Sequence, residues 1–154
     1  MTEVTYEQVA NEMPVLDAFI LEVLRMYPGS ILLSRRIANE DMEIGGMFVP
    51  KGKLVHCDIH AASRDERKFS RPNEFVFDRY MDRENAPSVL AFGVPGSAHY
   101  CAGTAIAKMN IKTFVATLLR QYTVELDRNQ SQDFKHIPLT SPKSGVVVSG
   151  MRQR

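Results

Sequence analysis

Apolar residues recur at helical spacing over residues 13–27. Leu16, Ile20 and Val23 fall on one face of a helix that turns about every 3.6 residues. Pro14 suits the first turn of such a helix, because its missing N–H group would have no helical partner there. The Pro-Gly pair directly after this stretch predicts the end of the helix.

Short apolar runs separated by turn residues follow, and they predict strands rather than a second helix. The Gly45-Gly46 pair lies between Met42–Ile44 and Met47–Val49, which is the pattern of a two-residue β-hairpin. The predicted strands of this region cover residues 31–33, 42–44, 47–49 and 54–57.

The rest of the chain alternates loops with one further helix. Residues 61–86 are charged and show no period, so we expect a long ordered loop with at most a helical turn or two. Residues 102–120 regain helical spacing, and residues 122–126 alternate as a strand does. We expect the remaining segments to be a lead-in over 1–12, a loop over 127–138, a turn over 141–145 and a closing strand over 146–148.

Composition narrows the class of protein. The chain has 154 residues, the size of one domain, and its 19 Lys and Arg against 18 Asp and Glu leave a net charge of +1. This balance does not favour a nucleic-acid partner, and two cysteines exclude a disulfide framework. No apolar run approaches the ~20 residues of a membrane span, and the N-terminus lacks the features of a signal peptide. We therefore expect a cytoplasmic protein.

The most informative segment is a loop with Gly and Pro over residues 91–103. Cys101 lies in it just before the predicted helix, where backbone N–H groups could donate to sulfur and the positive end of the helix dipole favours a thiolate. Gly103 removes a side chain where a flat group could lie close. These features suit a thiolate metal ligand or a reactive nucleophile, and an ordinary loop cysteine is the alternative that they leave open.

A zinc site is a rival interpretation of the metal-ligating residue types. Its donors would be His56, Cys57, His60, His99 and Cys101. Their spacing is neither that of a zinc finger nor that of a zinc ribbon. Because Cys57 belongs to a predicted apolar strand, we expect it to be a small buried hydrophobic residue instead.

Four segments occur in a particular order along the chain. They are Glu22-Val23-Leu24-Arg25, the block over residues 36–52, the segment 75–80 with Arg79, and the loop with Phe92, Gly96, His99, Cys101 and Gly103. Ser63-Arg64-Asp65 adds a shorter match between the second and the third. Together these segments resemble the C-terminal heme-thiolate portion of the cytochrome P450 superfamily, from its helix K to its C-terminus.

The resemblance implies an α+β fold class. The chain would form a partial cytochrome P450 fold: helix K, a small β-sheet and hairpins, a meander loop, the cysteine loop, a long helix and a C-terminal β-hairpin. It would be a single partial domain over residues 1–154, with the lead-in at 1–12 and the heme-binding region at 13–150.

The resemblance also implies a heme b cofactor, an iron protoporphyrin. Cys101 would be the axial iron ligand, and a thiolate ligand favours O–O cleavage on the opposite face. Arg36 and His99 would pair with the heme propionates. The full set of cofactor-binding residues would be Arg36, Phe92, Gly96, His99, Cys101 and Gly103.

A structural cluster of Glu22, Arg25 and Arg79 is a further implication. The first two residues lie one helical turn apart on one face, and the third would pin the long loop to the helix. An ordinary surface ion pair, worth little stability, is the alternative.

Two departures from the family pattern matter. Phe92 lies nine residues before Cys101, two more than is usual, so the cysteine loop is longer and the role of Phe92 is open. The long distal helix of the family, with its acid–alcohol pair, has no counterpart among the 154 residues. We therefore expect no catalytic residue in this chain.

The function that the resemblance implies is that of a monooxygenase-type oxidoreductase. The alternatives are one half of a split enzyme, a truncated heme-thiolate protein with peroxide-driven or isomerase chemistry, and a non-catalytic remnant that binds heme or a partner. Helix faces that normally pack on the distal portion would be bare, so we expect an oligomer or a partner-bound protein.

Substrate and redox partner follow from the resemblance only in outline. The apolar segments at 31–33 and 144–146 correspond to family segments that border the substrate pocket, which suggests a small lipophilic substrate. A flavoprotein or ferredoxin would dock on a basic proximal face. The candidate residues of that face are Arg64, Arg67, Lys68, Lys108 and Lys112.

Overall fold

The computed structural model describes residues 3–31, 36–136 and 139–154. Its helices are α1 (Tyr6–Asn11), α2 (Pro14–Met26), α3 (Ile59–Ala62) and α4 (Thr104–Gln121). Its strands are β1 (Arg36–Ile37), β2 (Met42–Ile44), β3 (Met47–Val49), β4 (Leu54–Val55), β5 (Tyr122–Leu126), β6 (Phe134–Lys135), β7 (Ser141–Pro142) and β8 (Val148–Gln153). The strands form four two-stranded antiparallel sheets, in the pairs β1–β4, β2–β3, β5–β8 and β6–β7.

Helix α1 corrects the prediction of a plain lead-in over residues 1–12. Thr5 and Gln8 form a capping box, in which each side chain accepts a hydrogen bond from the other residue's backbone N–H, at 3.3 and 3.2 Å. Val9 is buried against the rest of the fold. The helix is six residues long with one buried side chain, too short for a helical period to show in the sequence.

Helix α2 confirms the first predicted helix. Pro14 occupies its first turn, and its buried face carries Ala18, Ile20 and Met26. The Tyr27 N–H donates to the Val23 carbonyl at 2.7 Å and closes the last turn before the Pro-Gly pair. The core lies between this helix and the segment 59–80, and includes the buried side chains of Ile59, Phe69 and Tyr80.

The β2–β3 hairpin also confirms its prediction. Gly45 and Gly46 both have positive φ, +58° and +81°, as a two-residue turn with left-handed residues requires. The long loop prediction holds as well, since α3 is the only helix that the described chain contains between residues 58 and 103.

The predicted burial of Cys57 is wrong. Strand β4 ends at Val55, two residues earlier than expected, and Cys57 is exposed. No strand beyond this two-stranded sheet covers the segment in the described chain, so nothing removes the thiol from water. The predicted strand 31–33 lies largely outside the described residues. Ile31 itself is not in a strand, and its carbonyl accepts the Ile59 N–H at 2.9 Å.

The closing strand is longer and later than predicted. Strand β8 begins at Val148 and pairs with β5 as far as Gln153, whereas Val147 uses its carbonyl to accept the Asp127 N–H at 3.0 Å. Ser141–Pro142, predicted as a turn, pairs with β6. The residues after Val148 are mostly polar, so their strand conformation depends on pairing with β5 rather than on an apolar pattern.

No helix among the residues that the structure describes combines the length and the apolar character needed to cross a membrane.

Candidate functional site

The best-defined polar cluster begins on helix α2. Glu22 and Arg25 lie one turn apart, and the guanidinium binds the carboxylate through two hydrogen bonds of 2.8 Å, from Nε to Oε2 and from Nη2 to Oε1. Both side chains are completely buried. Such a parallel pair of charge-assisted bonds is strong and directional.

Arg79 completes the cluster from the long loop. Its Nε lies 3.1 and 3.2 Å from the two oxygens of Glu22, and the Val76 N–H donates to Oε1 at 2.9 Å. The Phe69 ring lies beside both guanidinium groups, with its centroid 5.2 Å from Arg25 and 5.9 Å from Arg79. The structure thus brings together the three side chains that the family resemblance groups.

The remaining guanidinium N–H groups bind the loop backbone. Arg25 donates to the carbonyls of Ser63, Pro72 and Glu74 at 2.7–3.0 Å. Arg79 donates to two further carbonyls of this loop, those of residues 70 and 71. The loop is therefore held along its length by two side chains, and no sequence pattern marks backbone carbonyls as their acceptors.

The charge on Glu22 matters for stability. Burial alone would raise the pKa of Glu22, but hydrogen bonds from Arg25, Val76 and Arg79 outweigh it and leave the pKa below its ordinary value of 4.5. Burial, with the nearby Glu22 charge, raises the pKa of Tyr80 to about 12, so this phenol stays neutral.

We expect the free energy of unfolding to fall when the pH drops below about 4.5. Because the pKa of Glu22 is lower in the folded chain than in the unfolded one, its stabilising contribution is complete above the unfolded value and is lost as the pH falls through the folded one. Urea unfolding followed by circular dichroism between pH 3 and pH 7 measures this dependence. A Glu22→Gln variant whose curve is as steep as that of the parent chain would contradict the assignment.

The cysteine loop leads directly into helix α4. The Cys101 N–H donates to the Phe92 carbonyl at 2.9 Å, and Thr104 donates its N–H and its hydroxyl to the Cys101 carbonyl, at 3.2 and 2.7 Å. The Thr104 amide at the start of the helix is thus directed to this carbonyl oxygen rather than to the sulfur. The Cys101 side chain is exposed.

Three glycines shape this loop. Gly93 has φ of +92°, and a Cβ there would lie 3.4 Å from the His99 carbonyl oxygen. A Cβ at Gly103 would lie 3.6 Å from the Cys101 sulfur. Gly96 has φ of +77°, a conformation that disfavours other residues. The loop therefore folds back on itself and leaves the sulfur free of a neighbouring side chain at residue 103.

The two predicted propionate-binding residues are accessible. Arg36 lies on β1 and His99 in the cysteine loop, and both are exposed. Neither side chain has an ion pair or hydrogen bond to another residue in the described ranges. Phe92 is half-buried and contributes its backbone carbonyl to Cys101.

The donor set fits a thiolate-bound heme better than zinc. Within residues 3–31, 36–136 and 139–154, no three His, Cys, Asp or Glu side chains lie close enough together to hold a metal ion. A heme iron needs one protein sulfur, and Cys101 offers an exposed one beside a glycine. His56, Cys57 and His60 therefore do not join His99 and Cys101 in a zinc site.

Lys112 does not belong to the predicted basic surface. It is 4% exposed, and its Nζ lies 3.0 Å from Asp17 Oδ1. Arg64 is also partly withdrawn, because it donates to the Met26 carbonyl at 2.7 Å. A helical period places Lys112 on α4 but does not reveal a carboxylate that reaches it from α2.

Comparisons with known proteins agree with this geometry. A model of the cytochrome P450 family matches residues 2–148. The chain is 36% identical over 120 residues to probable cytochrome P450 4s3 of Drosophila melanogaster, a match that covers 77% of this chain and 24% of that protein. It is 32% identical over 148 residues to the steroid 17-alpha-hydroxylase/17,20 lyase of Gallus gallus, covering 92% of this chain and 28% of the relative.

The fold has a counterpart among solved structures. Retinoic acid-bound cyanobacterial CYP120A1 superimposes with a TM-score of 0.86 at 26% identity, over 99% of this chain and 35% of that one. The mixed helices and small sheets match as a part of the larger fold, which confirms the predicted fold class. The chain spans between 24% and 35% of the length of these three proteins.

Cytochromes P450 are heme b proteins, and as a family they are oxidoreductases of the monooxygenase type. The family match over residues 2–148 and the agreement of the fold lead to one assignment: this chain belongs to the cytochrome P450 superfamily.

Proposed function

We propose that the chain supplies the heme-thiolate portion of a cytochrome P450 monooxygenase, with Cys101 as the axial iron ligand. The observation that carries the proposal is the exposed Cys101 sulfur shortly before α4, with no side chain at Gly103 in contact with it. Heme iron with a thiolate ligand supplies activation of molecular oxygen when it is bound.

The surrounding backbone would hold the sulfur in position. The hydrogen bond from the Cys101 N–H to Phe92 and the two from Thr104 to the Cys101 carbonyl hold the residue on both sides. The start of α4, the positive end of its dipole, lies three residues after Cys101. Gly103 would let the flat face of a porphyrin approach the sulfur without a steric clash.

Two exposed basic side chains would bind the carboxylates of the cofactor. Arg36 and His99 are exposed and have no protein partner among the described residues, so either can pair with a propionate. Phe92 and Gly96 would shape the loop around the cofactor. The cluster of Glu22, Arg25 and Arg79 would anchor the loop that precedes this site and would have no chemical role.

A small lipophilic molecule is the substrate class that we propose. Val146 and Val147 at the C-terminal turn are 63% and 44% exposed, and this apolar surface lies next to Ser144 and Gly145. The name of one similar protein refers to a steroid and that of another to bound retinoic acid, and both compounds are lipophilic.

A redox partner, a flavoprotein or a ferredoxin, would dock on the remaining basic residues. Arg67 and Lys68 are exposed and Lys108 is half-buried. Arg67 pairs with Asp65 at 2.8 Å, and hydrogen bonds from Arg67 hold the pKa of Asp65 at about 2. This pair reduces the positive charge that Arg67 offers to a partner.

Titration of the chain with hemin tests the proposal. We expect saturable uptake of one hemin per chain, because the Cys101 sulfur, Arg36 and His99 are accessible without rearrangement of the described residues. The matched control is Lys51→Gln, a charge change in the β2–β3 region at an exposed residue. Absence of saturable uptake would contradict the proposal. So would unchanged uptake in a variant that combines Arg36→Gln, His99→Gln and Cys101→Ala.

One half of a split enzyme is the second candidate, and exposed apolar helix faces favour it. Ile106 and Phe114 of α4 are each 66% exposed, and Val15 of α2 is 56% exposed. Large apolar side chains exposed on two helices are typical of an interaction face. Hemin uptake only after addition of a chain with the remaining P450 segments would favour a half-enzyme. Uptake in neither case would favour a remnant that binds a partner.

A further inference from the structure

A cavity of about 250 Å³ lies between α1, α2 and α4, outside the cysteine loop. Its apolar wall includes Val9, Ile20 and Met109. Its charged wall consists of Asp17, Arg83, Lys108 and Lys112. None of the proposed heme-binding residues lines this space, and of the basic residues proposed to dock a redox partner only Lys108 does.

The charges that line the cavity do not balance. Asp17 is the one acidic residue among the described lining residues, and it is shared by two cations. Its Oδ1 lies 3.0 Å from Lys112 Nζ, and its Oδ2 lies 3.1 Å from Arg83 Nη2. Lys108, one helical turn before Lys112 on the same face of α4, has no side-chain partner in the described ranges. The cavity therefore has two positive charges in excess.

Burial of one of these cations is costly, whereas Arg83 is 58% exposed and Lys108 is half-buried. The Lys112 side chain is 5% exposed, and its second recorded contact, to the Ala10 carbonyl, is long at 3.5 Å. A buried ammonium group needs full compensation by hydrogen bonds and opposite charge, and half of one carboxylate gives it incompletely. A bound anion would supply both.

The geometry points to a binding site for a small doubly charged oxyanion of the phosphate type. Two excess positive charges match its charge, and Arg83 offers a planar guanidinium suited to its oxygens. The volume of about 250 Å³ accommodates one such group, with apolar side chains along one wall. The anion would join α4 to the segment at Arg83, opposite α1.

Calorimetric titration with sodium phosphate, against sodium chloride at equal ionic strength, tests this site without any heme. We expect one saturable site with a Kd on the order of 1 mM. In Lys108→Gln the Kd should rise about tenfold, as the loss of a hydrogen bond from a charged group predicts. Arg83→Gln should behave in the same way, whereas Lys51→Gln, which makes the same charge change far from the cavity, should leave the Kd unchanged.

Two results would overturn the inference. One is the absence of saturable binding by a chain whose circular dichroism shows it to be folded. The other is equal binding in Lys108→Gln, Arg83→Gln and Lys51→Gln, which would indicate a general salt effect.

A parallel titration with phenyl phosphate identifies the source of the bound phosphate group. Binding equal to that of phosphate indicates a terminal phosphate of a larger molecule, and binding of inorganic phosphate alone indicates the free anion.

Discussion

Replacement of Glu22 by Ala should lower the free energy of unfolding by about 3–5 kcal/mol, the cost of breaking a buried ion pair by removing one partner. Glu22 is completely buried and accepts hydrogen bonds from Arg25, Arg79 and the Val76 N–H. Its removal leaves two guanidinium groups without a carboxylate in the core. Since small domains are stable by only about 5–15 kcal/mol, a large fraction of the molecules should unfold under mild conditions.

Urea unfolding followed by circular dichroism measures this loss, and Arg67→Ala is the matched control. Arg67 pairs with Asp65 at the same 2.8 Å distance, but its side chain is 86% exposed. We expect little change from that variant, because exposed pairs are solvated in both states. Equally small losses of unfolding free energy in both variants would show that burial of the Glu22 cluster adds no stability beyond that of an exposed ion pair.

Replacement of Cys101 by Ala should abolish the thiolate signature of the bound heme, while replacement of Cys57 by Ala should leave it intact. Both thiols are exposed, so exposure does not distinguish them. Of the two, only Cys101 lies shortly before a long helix, with no side chain at Gly103 in contact with its sulfur. Electron paramagnetic resonance of the ferric complex reports thiolate ligation directly.

Equal loss of this signal in both variants would contradict the choice of Cys101 as the ligand. Retention of the signal in Cys101→Ala would contradict it as well. Circular dichroism of each variant separates a lost ligand from a lost fold, and we expect both spectra to match that of the parent chain. Neither side chain is part of the core.

Much of the fold follows from local sequence signals. Pro14 and the Pro-Gly pair mark the two ends of α2, and Gly45-Gly46 marks the β2–β3 turn. The spacing of Glu22 and Arg25 places them on one helix face, which is the local half of the cluster. Arg79 joins them from 54 residues beyond Arg25, and the resemblance to a family, not periodicity, predicts that it does.

Features that depend on distant partners do not follow from local sequence signals. Lys112 is buried because Asp17 reaches it from another helix, and a helical period alone cannot identify such a pair. The strand conformation of residues 149–153 depends on pairing with β5. Cys57 follows an apolar strand and yet is exposed, since burial of a strand end requires a covering element that local sequence does not specify.

The reduced-plus-carbon-monoxide difference spectrum of the purified chain, reconstituted with heme, tests the central claim most directly. The claim is that Cys101 binds heme iron as a thiolate. We predict a Soret band shifted to the red, as a thiolate opposite carbon monoxide produces. A band typical of histidine-ligated heme, or no heme uptake, would contradict ligation of the iron by Cys101 in this chain.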